Sequence, residues 1–323
     1  MNANSPHPLV YVNRQDDQLL YGLNFLWLEI TPVCPLHCKH CYTESLPTLH
    51  IPRAVDWMNV LRQASELGCK KVQFIGGEPM SSPDLFEYIS YAHELGYDFI
   101  EVFSNLVLLT DKMLRDLVKY HVNIATSFYS WDPAVHDKIT GVPGSQKKTV
   151  EGIKKVLSAG LPLRVGIIIM EDNSAQIDDT IDYLVSLGVK HGRVRTDIVR
   201  PVGRGKDLTP PKSLHETLCG NCWRGLLAVS WDGSVYPCVF ARELNLGNIN
   251  TASLKDIISS NALKGFREES HEHWLKKYGK ATECYPPPCY PSPGRPCSPD
   301  HDCSPDYICD PSTNCDPFHC GPY

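Results

Sequence analysis

Between residue 24 and about residue 200 the chain alternates short runs of β-branched, aromatic and aliphatic residues with longer segments of helical period. The runs are NFLWLEI, KKVQFI, DFIEVF, VNIATSF, LRVGIIIM and RVRTDIV, each of a length that suits one strand. The segments between them, 53–67, 84–95, 111–120, 145–159 and 174–187, read as helices. Several open on Asp or Ser as N-cap residues and end near Gly68, Gly96, Gly160 or Gly188. Strands that alternate with helices in this way form a parallel sheet. Six such units close only part of the circle that eight complete, so the expected architecture is a partial (β/α)6, TIM-like barrel with a cleft where the loops after the strands converge.

After RPVGRGKDLTPPK the pattern changes. LLAVSWDGSVYPCVF reads as a short hairpin turning at Asp232 and Gly233, and TASLKDIISSNALKGF reads as helix, together a small second module. In the last 40 residues seven cysteines are each followed two positions later by proline, and eleven prolines there forbid helix and central strand. The expected division is therefore a barrel over 20–205, a module over 206–283 and a Cys-x-Pro tail over 284–323.

The 323 residues carry 31 Lys and Arg against 37 Asp and Glu, a net charge of -6, which gives no electrostatic case for nucleic-acid binding. The N-terminal residues lack a basic region followed by an apolar run, and no apolar stretch is long enough for a bilayer, so a cytoplasmic protein without a membrane segment is expected.

Fourteen cysteines would mark a disulfide framework in a small secreted domain; without an export signal, metal ligation is the better reading. TPVCPLHCKHCYTES, residues 31–45, places Cys34, Cys38 and Cys41 in the loop after the first strand. Thiolates that hold one inorganic centre must converge on it, and three ligands leave a fourth position open. A zinc loop is the competing reading, although zinc usually takes a closed fourth ligand and wider, paired spacing. FIGGEP, residues 74–79, ends the second strand; glycines there serve an ordinary turn or a close backbone approach. Cys69, Trp27 and the aliphatic strand residues read as core.

The C-x3-C-x2-C loop, with His40 and Tyr42 flanking its last thiol, resembles the cluster motif of radical S-adenosylmethionine (SAM) enzymes. The resemblance implies a 4Fe-4S cluster on Cys34, Cys38 and Cys41, whose open iron takes the amino and carboxylate groups of SAM before reductive cleavage to a 5′-deoxyadenosyl radical. It further implies that Gly76, Gly77, Glu78 and Pro79 receive the methionine ammonium and that Ser104 and Asn105 contact the ribose. Ser127, with HDKITG at residues 136–141, would grip the carboxylate, Lys138 acting as the cation.

Cys219, Cys222 and Cys238 fall in CGNCWRGLLAVSWDGSVYPC, whose CxxC also suits a zinc knuckle. The spacing C-x10-G-x4-C from Cys222 through Gly233 to Cys238 resembles the SPASM or twitch extension of peptide-modifying radical SAM enzymes. At least one auxiliary iron-sulfur cluster is implied, with a fourth ligand from Cys284 or Cys289, or with its fourth iron open to substrate. The family's usual downstream C-x2-C-x5-C-x3-C run is replaced by the C-x-P repeats. The tail then supplies cluster ligands, a disulfide- or zinc-stapled cap, or a disordered thiol-rich strand.

By the same resemblance the chain is a maturase that installs a crosslink, epimerisation or oxidation in a ribosomally made precursor peptide. A small-metabolite dehydrogenase or epimerase and a non-catalytic iron-sulfur carrier are the alternatives. An electron donor such as flavodoxin or ferredoxin is implied. Because only about twenty residues precede the first strand, a leader peptide is expected to dock elsewhere or on a separate leader-binding protein. No side chain can be named as catalytic from the sequence.

Overall fold

All seven residues of the first strand, β1 (Phe25–Thr31), are buried, as an apolar run with no polar alternate face requires of a strand covered on both sides. In the computed structural model, residues 20–48 and 54–278 are described; the Cys-x-Pro tail, with Cys284 and Cys289, lies outside them. The other predicted strands are β2 (Lys71–Gly76), β3 (Phe99–Phe103), β4 (Asn123–Ser127), β5 (Leu163–Ile169) and β6 (Val194–Ile198). Each pairs in parallel with the next, from Leu26 opposite Val72 at one edge to Val165 opposite Val194 at the other.

The connecting helices are α1 (Trp57–Glu66), α2 (Leu85–Glu94), α3 (Asp111–Lys119), α4 (Pro133–Thr140), α5 (Ser145–Ser158) and α6 (Ile177–Ser186). Side-chain caps fix several starts: Asp56 accepts from Asn59 N at 3.0 Å, and Thr110 from Met113 N at 3.2 Å. The helix expected to begin at residue 174 starts later, because a 3-10 turn over Ser174–Gln176 comes first. Helix α4 was not expected, although Asp132 caps it and Pro133 occupies its first position, a standard start signal.

The expected hairpin is present as β7 (Leu226–Val229) and β8 (Ser234–Tyr236), followed by β9 (Gly247–Asn248). It does not stand apart from the barrel. Strand β7 pairs in parallel with β1, Phe25 opposite Leu226, and the described sheet runs β6-β5-β4-β3-β2-β1-β7-β8-β9. Leu226–Val229 is wholly buried, so its backbone N–H and C=O groups need partners, and the free edge of β1 supplies them. Three helices follow or flank this hairpin, α7 (Leu214–Thr217), α8 (Leu254–Ile258) and α9 (Asn261–Tyr278). Trp27, Phe74, Leu61 and Ile89 are among the largest fully buried side chains, and Cys69 is packed with no exposure. Among the described residues no helix is long and apolar enough to cross a membrane.

Three polar side chains tie the strands together inside the barrel. Arg164 of β5 grips Glu101 of β3 through Nε at 2.9 Å and Nη2 at 2.8 Å, and Gln73 of β2 donates to the same carboxylate. Glu101 is 2% exposed, so it depends on these donors for solvation. Replacing Arg164 by Met should lower unfolding stability by about 3 to 5 kcal/mol, read as a fall in the urea midpoint, because it strands a buried carboxylate. A change within about 0.5 kcal/mol, the range of ordinary surface substitutions, would contradict this.

Candidate functional site

Beyond β1 the chain passes so close to the loop after β2 that the two backbones bond directly. Gly77 N donates to Thr31 O at 2.6 Å and Glu78 N to Val33 O at 2.7 Å. A Cβ on Gly76 would lie 2.4 Å from Thr31 O and one on Gly77 2.3 Å from Val33 O, so neither position admits a side chain. Gly76 also has a φ of 137, open to glycine and strained for other residues. The far side of the three-cysteine loop is held by α4, where His37 N donates to Thr140 O at 2.8 Å and Lys39 N to Ile139 O at 3.0 Å. Arg204, just beyond β6, closes the loop from below: Arg204 Nε donates to Cys38 O at 2.9 Å and Nη1 to Ser45 O at 3.2 Å.

Every sulfur of the loop has a polar neighbour. Cys34 Sγ accepts from Leu36 N at 3.4 Å and Asn105 Nδ2 at 3.6 Å, and Cys41 Sγ lies 3.3 Å from Thr43 Oγ1. Cys38 is bonded to the Tyr129 hydroxyl. Burial, reinforced by Glu78 and the other two cysteines, pushes the Cys34 thiol well up; burial and then Cys41 push Cys38 up to about 12. Such thiols become thiolates when a cationic centre replaces their protons. Among the described residues no three His, Cys, Asp or Glu side chains converge tightly enough for a single ion. A tetrahedral zinc with 2.3 Å bonds sets its sulfurs about 3.8 Å apart, whereas a cluster spreads three thiolates over separate irons.

A cleft of about 890 Å³, its open mouth included, lies over the C-terminal ends of the strands, where Gly76, Phe103, Ser127, Ile168 and Ile198 face it. Cys34, Cys38 and Cys41 line it, and of the other predicted residues Gly76, Gly77, Asn105 and Ser127 do so as well. Glu78, Pro79, Ser104 and Lys138 do not line it. Glu78 is fully buried behind the cleft, where it accepts from Met80 N at 3.0 Å, Ser104 Oγ at 2.7 Å and Asn105 N at 2.7 Å. Burial pushes its carboxyl up to about 7 against these three donors. Its position makes it the tie between the loops after β2 and β3. Pro79 opens the buried 3-10 turn Pro79–Ser81. The Lys138 side chain is 66% exposed and pairs at 2.6 Å with Asp172, which also takes Lys39 at 2.9 Å.

Sequence reasoning passed over Tyr129, Arg200 and Phe240, which line the cleft together with His136 of the HDKITG segment. Tyr129 lies in an aromatic stretch that reads as core, and Arg200 and Phe240 become neighbours of the cysteine loop only through folding. His136 is 1% exposed and accepts from Tyr129 N at 3.3 Å; burial brings its pKa down to about 4.

Cys222 and Cys238, each 1% exposed, meet beside the β7–β8 hairpin. Their sulfurs share a hydrogen bond that pushes the Cys222 thiol up, while Cys238, although buried, is held low by Cys222 and by the backbone N–H groups of Phe240 and Ala241. Cys219 lies half-buried just ahead of them and is disulfide-bonded in this structure, so it would have to be reduced before it could serve as a ligand. The Phe240 ring packs edge-on against Tyr42 at 5.4 Å, and Arg242 pairs with fully buried Glu29 of β1, so the second cysteine group is fastened to the first.

The sequence profile of the Radical SAM superfamily matches residues 28–184, and that of the SPASM iron-sulfur cluster-binding domain matches residues 219–289. The chain belongs to the radical SAM superfamily and carries a SPASM domain. This radical SAM protein is 34% identical to a PqqA peptide cyclase of Streptomyces rochei over 50% of its own length and 44% of that protein's. It is 29% identical to the antilisterial bacteriocin subtilosin biosynthesis protein AlbA of Bacillus subtilis (strain 168) over 72% and 58% of the two chains. The chain thus spans about half the length of the curated relatives it matches. Its fold is similar to that of Streptococcus suis SuiB bound to precursor peptide SuiA, with a TM-score of 0.63 at 16% identity, covering 82% and 74% of the two chains.

Membership brings a 4Fe-4S cluster, SAM and auxiliary iron-sulfur chemistry. The residues present fit all three. Three polar-contacted thiols share one cleft, its floor is a ledge where a Cβ cannot stand, and two further buried thiols lie beside the adjoining hairpin.

Two outcomes follow from this geometry. Gly77→Ala should displace Val33 and the adjoining Cys34, lowering SAM affinity by about tenfold or more, roughly 1.4 kcal/mol, in equilibrium binding; wild-type affinity would show that the close approach is dispensable. His136 binds its proton more weakly folded than unfolded, so its contribution to stability is complete above its unfolded pKa near 6.5 and lost as pH falls toward 4. His136→Asn should flatten the loss of unfolding free energy across that window by up to about 3 kcal/mol in denaturant titrations at each pH.

Proposed function

We propose that this chain is a radical SAM enzyme that abstracts hydrogen from a ribosomally made precursor peptide and leaves a crosslink, an epimerised centre or an oxidised bond. The observation that carries the reading is the single cleft that joins the three-cysteine loop, the Gly76-Gly77 ledge and Phe240, two residues beyond Cys238 of the SPASM domain. Phe240 brings the SPASM side to the cleft wall, although Cys219, Cys222 and Cys238 do not line it. Peptide as substrate is supported by a relative whose name is peptide cyclase, by one in bacteriocin biosynthesis and by the fold shared with a protein bound to its precursor peptide.

In this reading Cys34, Cys38 and Cys41 hold the 4Fe-4S cluster, and Cys219, Cys222 and Cys238 hold the auxiliary one, with Cys284 or Cys289 available as a further ligand. When bound, the cluster and SAM supply the one-electron cleavage that starts the chemistry. The chain's own residues position and shield. Asn105 and the Leu36 N–H steady the Cys34 sulfur, Tyr129 steadies Cys38, and Gly76 and Gly77 let the ligand approach the backbone. Ile75, Ile168, Val199 and Phe240 wall the cleft with carbon, which excludes water from a reactive intermediate. His136, neutral near pH 7, adds no charge there. Glu78 and Ser104 act through Asn105 as positioning residues, and Lys138 at the rim completes the assignment. We further infer a cytoplasmic enzyme that draws electrons from a flavodoxin or ferredoxin and whose leader peptide docks elsewhere or on a separate leader-binding protein. The proposed division falls at 205 and 283, between the cysteine groups, and at least one thiol beyond 283 is proposed as a ligand of the auxiliary cluster.

Anaerobically reconstituted protein should form 5′-deoxyadenosine from SAM and dithionite, and should alter a peptide encoded beside its gene, read as a mass shift for a crosslink or an oxidised bond and as deuterium uptake from D2O for an epimerised centre. Replacing Cys34, Cys38 and Cys41 together by Ala should abolish SAM cleavage while auxiliary iron stays bound; cleavage by that variant would refute the assignment. Truncation after Glu283 should remove about four irons and leave SAM cleavage, on the stoichiometry of one 4Fe-4S cluster. Unchanged iron and peptide turnover would show the tail to be dispensable.

A further inference from the structure

The SPASM match ends at residue 289, and the Cys-x-Pro units go on beyond it. Cys297, Cys303, Cys309 and Cys315 stand six apart, each with proline two positions on, and Cys320 follows after five. An extended segment turns alternate side chains to opposite faces, so an even period returns every unit to the same face. On that count the first four thiols share one face with the prolines of their units. Asp300, Asp302, Asp306, Asp310 and Asp316 all take the other, and Cys320 falls with them. Prolines of one parity place their missing N–H groups along one edge, so the other edge keeps its donors. Cluster ligands and staples need sulfurs to converge on one point and make no demand for equal units. Equal units, each superposed on the next by a shift along the chain, suit a site that takes them in turn.

The described residues offer such a segment a berth. Strand β6 ends the described sheet, and no described strand lies beside its outer edge. The N–H and C=O groups of such an edge pair readily with an added extended chain. Ile198, at the end of β6, is 49% exposed and lines the cleft, as do Val199 and Arg200 after it. Residues 190–206 hold six Lys and Arg against one Asp, in a chain of net charge -6, whereas residues 297–320 hold five Asp and no Lys or Arg. The one acid of the basic stretch, Asp197, is taken by Arg200 at 2.7 Å, while Lys190, Arg193 and Arg195 are exposed. Reach is sufficient. Helix α9 ends at Tyr278, and the nineteen residues onward to Cys297, at about 3.1 Å each, cover roughly 60 Å, more than the breadth of a domain of this size.

We propose that residues 297–320 are a substrate segment carried by the enzyme itself, laid extended along the basic edge of β6 so that the units headed by Cys297, Cys303, Cys309 and Cys315 enter the cleft in turn. This inference rests on the reading of the chain as a peptide-modifying enzyme and names a substrate for it. Cys284 and Cys289, inside the SPASM match, stay available as cluster ligands. In each modified unit a carbon gives one hydrogen atom to the 5′-deoxyadenosyl radical, which leaves as 5′-deoxyadenosine. A crosslink or an oxidised bond then gives up one electron to an oxidised iron-sulfur cluster and one proton to water, a loss of two hydrogens in all. An epimerised centre instead takes one electron from a reduced cluster and one proton from water.

The test uses the full chain, reconstituted anaerobically, given SAM and dithionite without added peptide, then digested and read by mass spectrometry. The four units should each lose two hydrogens or take up deuterium from D2O, and the Cys320 unit should stay unmodified. A Cys320 unit altered as fully as the other four overturns the extended presentation. Tenfold dilution should leave the rate within about twofold, because a tethered segment keeps its local concentration; a rate that falls about tenfold assigns the segment to a second copy and overturns its use by its own chain. A tail left intact while 5′-deoxyadenosine forms overturns the inference, and alteration of an added peptide in that experiment leaves the proposed function standing. Absence of 5′-deoxyadenosine overturns both. A second measurement needs no cluster. Carbodiimide coupling of the metal-free full chain should join an Asp of residues 297–320 to Lys190 or Lys206, with a yield that falls about tenfold at 1 M salt, where the screening length is about 3 Å. Absence of that coupling, or coupling spread evenly over the lysines of the chain, overturns the docking.

Discussion

Two backbone hydrogen bonds, from Gly77 N to Thr31 O and from Glu78 N to Val33 O, set the distance between the loops that follow the first two strands. Backbones that approach this closely leave no room for a Cβ, so the pair of glycines is a steric requirement of the cleft floor. Much else depends on it. Cys34 follows Val33 directly, so the first cluster thiol is placed by a neighbour's carbonyl bond and needs little help from its own side chain. The buried Glu78 carboxylate then extends the same constraint to the loop after β3, where it fixes Asn105, whose amide reaches back to the Cys34 sulfur. The result is a closed circuit of contacts through three strand ends.

Around that circuit the protein buries charge in a patterned way. Inside the barrel, Glu101 and Arg164 satisfy each other across the strands, a pair whose worth lies in the penalty for separating it. Between barrel and SPASM domain, Glu29 and Arg242 do the same, with Tyr42 and Phe240 in edge contact beside them. Arg267 departs from this pattern by bonding only the Leu20, Gly22 and Leu226 carbonyls, a buried cation with no carboxylate partner among the described residues. Buried thiols driven up by desolvation are relieved by the binding of a metal centre that replaces their protons.

The parallel strands were legible because residues buried on both faces are mostly apolar, and a run such as Phe25–Thr31, with Glu29 paired to Arg242, reads as one of them. The cysteine loop was legible for a related reason: ligands of one cluster carried on one loop must be close in sequence. Helix α4 escaped notice because it is short and carries His136, Asp137 and Lys138, which read as a binding segment; its cap and proline were the missed signal. The hairpin was recognised but taken for part of a separate module, because nothing in Leu226–Val229 names the strand it will join.

By itself, then, the order of residues determined the local facts: strand periodicity, the turn at Asp232 and Gly233, the thiol spacing and the glycines of the floor. These depend on neighbours within a few positions, where backbone sterics and side-chain alternation act directly. Tertiary structure alone decided which distant groups meet. It put Arg204 on the Cys38 carbonyl, Tyr129 on the Cys38 sulfur and Phe240 on Tyr42, and it drew Glu78 and Ser104 behind the cleft while leaving Lys138 at its exposed rim. Such contacts join residues far apart in the chain, and each is set by where whole strands and helices pack, so the same residue types in the same local sequence would serve as caps, core or solvated surface in another fold.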